Sequence, residues 1–394
     1  MNKKVLGLVL EINPFHTGHK YFIDKAIEEI KPDVIIAIIS TSFSMRGDPS
    51  IMDKFNKTKL LLENKIDIVL ELPFIASNAS ADYFALNSIR SLSKFNITDF
   101  ACGVELDNYQ KLLELTNITS QDSFNKLVKK YLDEGLSYST SNNKALLEYT
   151  NDLELVESFS MPNNTLAISY LKSFKKLGIN PNITLIKRID NNYYDSRIND
   201  SLSSATSIRQ ELEKNKENAK KFLVDKDYNY PNSTELLNKI FLLLKERFIV
   251  FGEKYFENIL GVSEGIQNRI GNVIKKSHNY QELIDNSITK RYPEARIKRV
   301  LLNILFDVKK DDFNNNDIDY LRVLGFNDNG NNYIKTLNKE TKKEIITTIK
   351  NSNNLVSLLE CKVTEIYGLL INNNDFIQNE YLIPIKKIEV KHEA

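Results

Sequence analysis

The chain contains no tryptophan and is poor in cysteine, histidine and methionine, with 2, 4 and 4 residues among 394. The two cysteines, Cys102 and Cys361, lie far apart, and neither has a second residue at a metal-binding spacing. This scarcity argues against a disulfide-stapled secreted scaffold and against a zinc ribbon. We therefore expect two buried thiols in a reducing cytoplasm and no dedicated metal site.

Neither sign of charge is in excess, because 53 Lys and Arg against 52 Asp and Glu give a formal net charge of +1. A nucleic-acid-binding surface must therefore come from local clustering of basic residues. Long hydrophobic runs are missing too, and no stretch approaches the length of a membrane span. A short apolar run near the N-terminus contains Glu11 and breaks at Pro14 with no small-residue cleavage site behind it, so we do not interpret it as a signal peptide. We expect a cytoplasmic protein that does not enter a membrane.

What the chain does have is an ordinary globular composition, 42% hydrophobic and 27% charged, in a length that suits two domains. Its first part alternates short apolar runs, typical of strands buried on both faces, with stretches that carry apolar residues at helical spacing. The runs are residues 5–10, 34–39, 66–72, 99–103 and 183–186, and the helical stretches are 21–30, 54–64, 79–94 and 165–177. This alternation predicts an α/β fold with a Rossmann-like parallel sheet, whose ligands bind beyond the carboxyl ends of the strands.

After about residue 215 the pattern becomes nearly all helical. Helical spacing recurs over residues 236–248, 252–260, 264–277, 280–286 and 294–306, and Asn-rich pieces connect the later helices. We predict an α/β catalytic domain over residues 1–225 and an all-α domain over residues 226–394.

The most informative segment covers residues 7–20, where a buried strand breaks at an Asn-Pro pair and opens a helix carrying His16 and His19. Three residues apart on a first helical turn, both imidazoles face the same side. A helix N-terminus presents unpaired N–H groups and about half a positive charge, so we infer a nucleoside triphosphate attacked at its α-phosphate. Gly18 leaves room for the nucleoside close to the backbone. The alternative is an ordinary helix start with two incidental surface histidines.

A second candidate site is the run of hydroxyl residues that ends in Arg209. One interpretation places Ser204 and Thr206 on phosphate oxygens and Arg209 on the leaving pyrophosphate, because arginine is always charged and grips phosphate with two donors. The alternative is that the hydroxyls only cap a helix.

Other polar residues follow predicted strands or precede helices. Arg46 lies in a loop after the second strand and could hold an anionic substrate, or it could be a solvated residue in a Gly-Asp-Pro turn. One of Asn163 and Asn164 is expected to cap a helix and the other to hydrogen-bond the nucleotide. Lys187 and Arg188 end the last predicted strand and could meet nucleotide or phosphate.

In the helical part, basic residues cluster away from the apolar stripe of the helix that begins near residue 293. Such a cluster would contact RNA phosphates, and Tyr292 could stack on a base. The alternative is a solvated charged face, the usual reading of charge runs. The candidate RNA-contacting residues are Lys275, Lys276, Lys290, Arg291, Arg296 and Arg299.

Six short segments together carry a family resemblance. They are Glu11-Ile12-Asn13-Pro14-Phe15-His16-Thr17-Gly18-His19, Phe43-Ser44-Met45-Arg46-Gly47-Asp48-Pro49, Pro162-Asn163-Asn164, Ser204-Ala205-Thr206-Ser207-Ile208-Arg209, Thr289-Lys290-Arg291-Tyr292 and Arg322-Val323-Leu324-Gly325-Phe326. With these segments the chain resembles the bacterial tRNA(Met) cytidine acetate ligase family, a branch of the HxGH nucleotidylyltransferase superfamily, over nearly its full length.

The resemblance implies a ligase that uses ATP to activate acetate as acetyl-adenylate and then acetylates N4 of the wobble cytidine of elongator tRNA(Met), C34. ATP and, with it, Mg²⁺ are the expected cofactors, and acetate and elongator tRNA(Met) are the expected partners; the oligomeric state stays open. His16, His19, Ser204, Thr206 and Arg209 are the candidate catalytic residues.

The predicted ATP-binding residues come from the resemblance and, for Lys187, from its position at a strand end. They are Gly7, Leu8, Val9, Leu10, Glu11, Ile12, Asn13, Pro14, Phe15, His16, Thr17, Gly18, His19, Lys20, Gly103, Asn163, Asn164, Lys187 and Arg188. Three positions depart from the family pattern, since Thr17 replaces a usual Asn, Met45 a usual Gln and Asp48 a usual Glu.

Two other functions stay open on the sequence. One is an adenylyltransferase that acts on a small phosphorylated metabolite, with the helical part serving oligomerisation. The other is a non-catalytic RNA-binding protein whose pocket only senses ATP.

Overall fold

The computed structural model describes residues 3–188, 204–313, 318, 320–350, 352, 354–382 and 386–387. Strands and helices alternate through the first part of the chain, as the sequence predicts. The strands are β1 (Val5–Leu10), β2 (Val34–Ser40), β3 (Ile68–Leu72), β4 (Asp99–Val104) and β5 (Asn182–Lys187). The helices are α1 (Thr17–Ile30), α2 (Lys54–Glu63), α3 (Phe74–Ser77), α4 (Ala81–Ser93), α5 (Tyr109–Ile118), α6 (Asp122–Asp133), α7 (Tyr138–Thr150), α8 (Leu153–Ser160), α9 (Pro162–Leu177), α10 (Ala205–Lys214) and α11 (Lys216–Ala219).

The five strands form one parallel sheet in the order β5-β4-β1-β2-β3. β1 pairs with β2 from Val5 opposite Val34 to Leu10 opposite Ile39, so their carboxyl ends lie side by side. All seven residues of β2 are buried, because helices cover both faces of the sheet. The α/β class with a Rossmann-like parallel sheet is therefore confirmed.

The second part of the chain is mostly helical. Its helices are α12 (Ser233–Phe251), α13 (Ile266–Ile274), α14 (Tyr280–Ser287), α15 (Glu294–Phe306), α16 (Asp328–Thr336), α17 (Lys339–Glu344), α18 (Leu355–Leu370) and α19 (Gln378–Leu382), and three strands join them, β6 (Leu321–Phe326), β7 (Ile345–Ile346) and β8 (Lys386–Lys387). Short 3-10 turns cover Lys220–Phe222 and Glu253–Asn258. The stretch 252–260, for which we predicted a helix, thus forms a 3-10 turn over Glu253–Asn258.

One element of this second part corrects the expectation of an all-α region. β6 pairs antiparallel with β3 and extends the sheet, and the short strands β7 and β8 pair with β6 in turn. Five of the six residues of β6 are buried. The run is short and apolar, so its periodicity does not separate a strand from a buried helical turn. The division at residue 225 stays a prediction, and the sheet takes strands from both sides of it.

A buried group of charged side chains lies where β3 and β6 meet α2 and the C-terminal helices. Lys54 Nζ lies 2.8 Å from Glu71 Oε1 and also contacts Glu380, and Arg322 bridges the same two carboxylates at 3.0 and 2.7 Å. Glu360 lies beside them and accepts the backbone N–H of Phe74. We call Lys54, Glu71, Arg322, Glu360 and Glu380 the buried ionic cluster.

Within the described residues, no helix is both long enough and apolar enough to span a membrane. Cys102 and Cys361 are both free thiols, the first buried and the second half-buried.

Candidate active site

A cleft with a volume of about 1240 Å³ opens at the carboxyl ends of β1, β4 and β5. Its walls also include the first turn of α1 and the starts of α9 and α10. This is where an open parallel sheet offers a site to a ligand. The predicted site residues that line it are Val9, Leu10, Glu11, Asn13, His16, Thr17, Gly18, His19, Arg46, Gly103, Asn163, Lys187, Arg188, Ser204, Thr206 and Arg209.

The remaining predicted ATP-binding residues do not line the cleft. Leu8, Ile12 and Phe15 are fully buried in the core under α1. A Cβ on Gly7 would lie 3.0 Å from Ile97, so the absence of a side chain there serves the packing of β1. These residues support the cleft wall from behind, and the others that lie off its surface are Pro14, Lys20 and Asn164.

Asn13 fastens the end of β1 to the loop of residues 41–51, which we call the Arg46 loop. Its Nδ2 donates to the carbonyl of Pro49 at 3.1 Å, and its Oδ1 accepts the backbone N–H of Ile51 at 2.9 Å. Because both ends of the amide are used in this way, Asn13 holds the loop against the strand end.

His16 and His19 stand at the start of α1, in the arrangement that their spacing predicts. His16 is the N-cap residue, and its Nδ1 accepts the backbone N–H of Gly18 at 3.1 Å. The Nδ1 of His19 accepts the backbone N–H of His16 at 3.4 Å. The ring centroids are 4.0 Å apart. Both rings therefore converge on one side of the cleft.

Both imidazoles are neutral near pH 7. Burial, aided by the guanidinium of Arg188, lowers the pKa of His16 to about 4. Burial also lowers the pKa of His19, and His16 and Arg188 act in the same direction. In His16 the accepting Nδ1 places the ring proton on Nε2, where it can be donated to a phosphate oxygen. A bound polyphosphate would raise both pKa values, because an opposite charge favours the protonated ring.

Gly18 lines the cleft, so the predicted approach of a nucleoside stays a prediction, and the structure adds a second reason for a glycine there. A Cβ on Gly18 would lie 2.9 Å from Cε1 of His16. The missing side chain therefore makes room for the capping imidazole itself.

Neither asparagine caps α9 as predicted, because the N-cap residue is Met161 and both lie inside the helix, where they have different partners. Asn163 lines the cleft, where its Oδ1 accepts Arg188 Nη1 at 3.2 Å and its Nδ2 donates to Glu105 at 2.6 Å. Asn164 is fully buried, and its Oδ1 accepts the backbone N–H groups of Glu105 and Leu106 at 3.0 Å. Asn163 is thus the one placed to meet a nucleotide, and Asn164 holds the β4 loop.

The start of α10 shows the capping geometry that we weighed as the alternative. Ser204 is the N-cap, and its Oγ accepts the backbone N–H of Ser207 at 3.2 Å. Thr206 is exposed at the cleft. Arg209 is nearly buried and donates to the carbonyl of Asn13 at 2.8 Å and to Asp48 at 3.2 Å. Arg209 therefore braces the cleft wall with a guanidinium that already has partners.

Arg46 is the contrasting cation of this cleft. It is exposed there, and it makes no ion pair or hydrogen bond with any residue that the structure describes. Its charge is left for a ligand, which fits the prediction of an anionic substrate at this loop.

Sequence reasoning missed three side chains that build the site. Glu105 binds both backbone and side chain of Asn163, and its position just after a strand end was a usable signal. Lys298 on α15 pairs with Asp48 at 2.9 Å. Lys57 is buried in α2 and donates to the carbonyls of Ser40 and Thr41 at 3.2 and 2.6 Å. Nothing in the pattern of an ordinary helix indicated Lys57 or Lys298.

The predicted RNA-contacting residues lie outside the cleft. Lys275, Lys276, Lys290 and Arg291 are exposed, and Arg296 is partly exposed. Arg299 donates to the carbonyl of Met45 at 3.3 Å, so it touches the Arg46 loop directly.

The prediction that Tyr292 stacks on a base is wrong. It is only 8% exposed, and its hydroxyl donates to the carbonyl of Glu264 at 2.9 Å. The guanidinium of Arg296 lies over its ring, 5.1 Å from the centroid.

The chain is similar to known proteins over nearly its whole length. The model of the HIGH Nucleotidyl Transferase family matches residues 3–381. Two relatives called tRNA(Met) cytidine acetate ligase are similar over almost the whole chain. The one from Clostridium kluyveri is 34% identical and covers 97% of this chain and 98% of its own. The one from Thermoanaerobacter pseudethanolicus is 31% identical and covers 98% of this chain and 100% of its own.

Two solved structures are similar in fold. The crystal structure of Thermotoga maritima TmcAL bound with alpha-thio ATP has a TM-score of 0.86 at 25% identity. The apo structure of the same protein has a TM-score of 0.88 at 27% identity. Each match covers 98% of this chain and 100% of the Thermotoga maritima chain.

Proposed function

The chain belongs to the HIGH nucleotidyltransferase family and, within it, to the tRNA(Met) cytidine acetate ligases, and we propose that it makes acetyl-adenylate and acetylates N4 of the wobble cytidine of elongator tRNA(Met). It is an ATP-dependent ligase. The observation that carries the finer proposal is the cleft in which two neutral imidazoles at a helix N-terminus share a wall with the unpaired cation Arg46.

In the first step, a carboxylate oxygen of acetate attacks the α-phosphorus of ATP. The bond from the α-phosphorus to the bridging oxygen breaks, and pyrophosphate leaves. The protein contributes alignment and stabilisation of charge on the phosphoryl oxygens. His16 Nε2–H supplies a neutral donor, and Arg188 supplies a positive charge.

Arg46 is the residue that we assign to the acetate carboxylate. Acetate offers two oxygens to a guanidinium fork and little else to recognise, so one unpaired arginine is a sufficient anchor. Mg²⁺ would enter with ATP, bound to the phosphate oxygens. Among the described residues, no three His, Cys, Asp or Glu side chains form a cage that could hold a metal ion by themselves.

In the second step, the cytidine amine takes the acetyl group and AMP leaves. An anticodon base is single-stranded and can be splayed into a cleft at a modest unstacking cost. The basic residues of α15 support this docking, because Arg299 reaches the Arg46 loop and Lys298 pairs with Asp48 in it. RNA phosphates on this helix would therefore lie next to the cleft.

The two alternatives from the sequence have less support. A non-catalytic ATP sensor disagrees with the full-length similarity to ligases. A small phosphorylated metabolite would need further cations near Arg46, and the neighbouring Arg209 already pairs with Asp48.

Incubation of the purified protein with ATP, Mg²⁺, acetate and elongator tRNA(Met) tests the proposal. We expect N4-acetylcytidine in the tRNA, detected by mass spectrometry after nuclease digestion, together with AMP and pyrophosphate. Acetate-dependent exchange of labelled pyrophosphate into ATP reports the first step alone. Absence of that exchange would refute the assignment of acetate.

A double variant, Arg296→Ala with Arg299→Ala, separates the RNA surface from the nucleotide site. We expect weaker tRNA binding with a shallower dependence on salt, and pyrophosphate exchange that changes far less than tRNA binding. An unaltered salt dependence would show that tRNA binds to a surface other than α15.

A further inference from the structure

The acetyl-transfer step needs a proton acceptor, and one carboxylate in the cleft is placed for it. Glu11 follows β1 directly and lines the cleft. Its Oε1 accepts the backbone N–H of Met45 at 2.5 Å, which fixes the side chain against the Arg46 loop. Its Oε2 accepts no hydrogen bond from any residue that the structure describes. One oxygen is therefore held and the other is left for a ligand.

The other acidic side chains that line the cleft have their oxygens in use or lie on the solvent side of α1. Both oxygens of Glu105 accept N–H groups of the asparagine pair, and both oxygens of Asp48 pair with cations, Lys298 and Arg209. Asp24 and Glu28 pair with surface lysines. Among the described acidic residues away from the solvent side of α1, Glu11 is thus the cleft carboxylate with an oxygen that accepts no hydrogen bond.

The histidines do not fit this role. The Nδ1 of His16 already accepts a hydrogen bond, which leaves a protonated Nε2 that donates and cannot accept. Burial lowers the pKa values of both rings, so each is a weak base. They suit the phosphate, whereas Glu11 suits the amine.

Burial raises the pKa of Glu11, and the hydrogen bond from Met45 and the charges of Arg46 and Lys57 offset part of that effect. A carboxylate with a raised pKa is a better proton acceptor near neutral pH. The titratable or charged groups that face it from the packed elements are His19 of α1, Arg46 and Asp48 of the Arg46 loop, Lys57 of α2, Tyr170 of α9 and Arg209 of α10.

We infer that Glu11 is the catalytic proton acceptor of acetyl transfer, taking the proton that the cytidine amine loses. This inference rests on the proposed function. The N4 nitrogen forms a bond to the acetyl carbon, and the bond from that carbon to the phosphate oxygen breaks. AMP leaves with the electron pair of that bond, and the N4 proton passes to Oε2 of Glu11. A cytosine amine is a weak nucleophile, so removal of its proton during attack matters more than it would for an alkyl amine.

Glu11→Gln tests the inference, because the amide oxygen can still accept the N–H of Met45. Single-turnover transfer from synthetic acetyl-adenylate to elongator tRNA(Met) should slow by ~10²–10⁴-fold. The wild-type transfer rate should fall toward acid pH as Glu11 becomes protonated, and the variant should lack this acid limb. Acetate-dependent pyrophosphate exchange should be reduced far less than transfer.

Two further variants make the result specific. Glu11→Asp keeps a carboxylate, so its slower transfer should retain the acid limb. Glu105→Gln alters a matched cleft carboxylate that holds Asn163; it should weaken ATP binding and also retain the acid limb. Wild-type transfer rates and an intact acid limb in Glu11→Gln would overturn the inference, as would equal loss in the Gln and Asp variants. If the wild type shows no pyrophosphate exchange, the proposed function itself fails.

Discussion

The cleft at the end of β1 and the buried ionic cluster beside β3 both contain several charged side chains, but they differ in how far those charges are paired with each other. In the cluster, Lys54 and Arg322 are each within ion-pair distance of both Glu71 and Glu380, and none of these side chains is more than 3% exposed. In the cleft, Arg46 is exposed and has no partner among the described residues. Charges that are fully paired with each other hold elements together, and charges without partners are available to a ligand.

The pKa shifts follow the same division. Burial would raise the pKa of Glu380, but Lys54 and Arg322 outweigh it and hold the pKa well below its usual range. Burial is the largest cause that raises the pKa of Glu360 to about 8; the charge of Glu71 raises it further, and Lys54 and the backbone N–H of Phe74 lower it. At pH 7 Glu360 is therefore mostly protonated, while Glu380 stays ionised between Lys54 and Arg322.

The sharpest test of the comparison is Lys54→Met. Removal of this ammonium leaves Glu71 and Glu380 buried with one cation between them, and loss of one partner of a buried pair costs roughly 3–5 kcal/mol. We expect a fall of that size in the free energy of unfolding, measured by urea denaturation. Lys59→Met, which removes an exposed contact with Glu63 at 3.9 Å, is the matched control and should change stability by less than about 1 kcal/mol.

His19→Ala tests the cleft side of the comparison. His19 holds the backbone N–H of His16 through its Nδ1, so its loss should misplace the His16 ring, and loss of a phosphate donor of this kind costs roughly 10²–10³-fold in rate. Acetate-dependent pyrophosphate exchange should therefore fall by that factor, while the free energy of unfolding changes little beside that of Lys54→Met. A variant that exchanges pyrophosphate normally would show the motif to be structural.

Arg46→Ala should act mainly on ligand binding, and it should also raise the pKa of Glu11, because the charge of Arg46 lowers that pKa. The guanidinium has no protein partner to lose, so the variant should keep its stability. A charge-assisted bond to a carboxylate contributes about 1.5–3 kcal/mol, or roughly 10–150-fold in the KM for acetate. The KM for acetate in the exchange assay measures this, and an unchanged value would contradict the acetate assignment.

The last prediction is a slope of stability with pH. In the unfolded chain Glu360 has an ordinary pKa near 4.5, and in the fold the pKa is about 8. The folded state binds more protons between these values, so stability should decline as the pH rises through this interval. Urea denaturation across that pH range should show a shallower decline in Glu360→Gln. An equal decline in both proteins would assign the slope to another group.

Local signals predicted the first half of the molecule well. Continuous apolar runs gave the five parallel strands to within two residues at each end, because strands buried on both faces need no polar alternation. The spacing of His16 and His19 predicted that the two rings converge, although the reciprocal capping hydrogen bonds at the start of α1, and not a helical turn, bring them together.

Features that depend on distant partners were beyond local reasoning. β6 lies about 250 residues after β3 along the chain. The apolar run of β6 becomes a strand because it pairs with the open edge of β3. Tyr292 reads as an exposed aromatic among basic residues, but packing buries it. Arg209 was expected to face pyrophosphate, and its pairing with Asp48 depends on a loop that folds back from elsewhere in the sequence.

The late position of β6 has a consequence for how the protein comes into being. β3 leaves the ribosome about 250 residues before the strand that covers its edge. During that interval the nascent sheet presents an open apolar edge, the kind of surface that recruits other chains. Until β6 is made, Glu71 near the carboxyl end of β3 lacks its ion pair with Arg322. The N-terminal half made alone should therefore aggregate, and a soluble catalytic fragment would require β6 to be supplied with it.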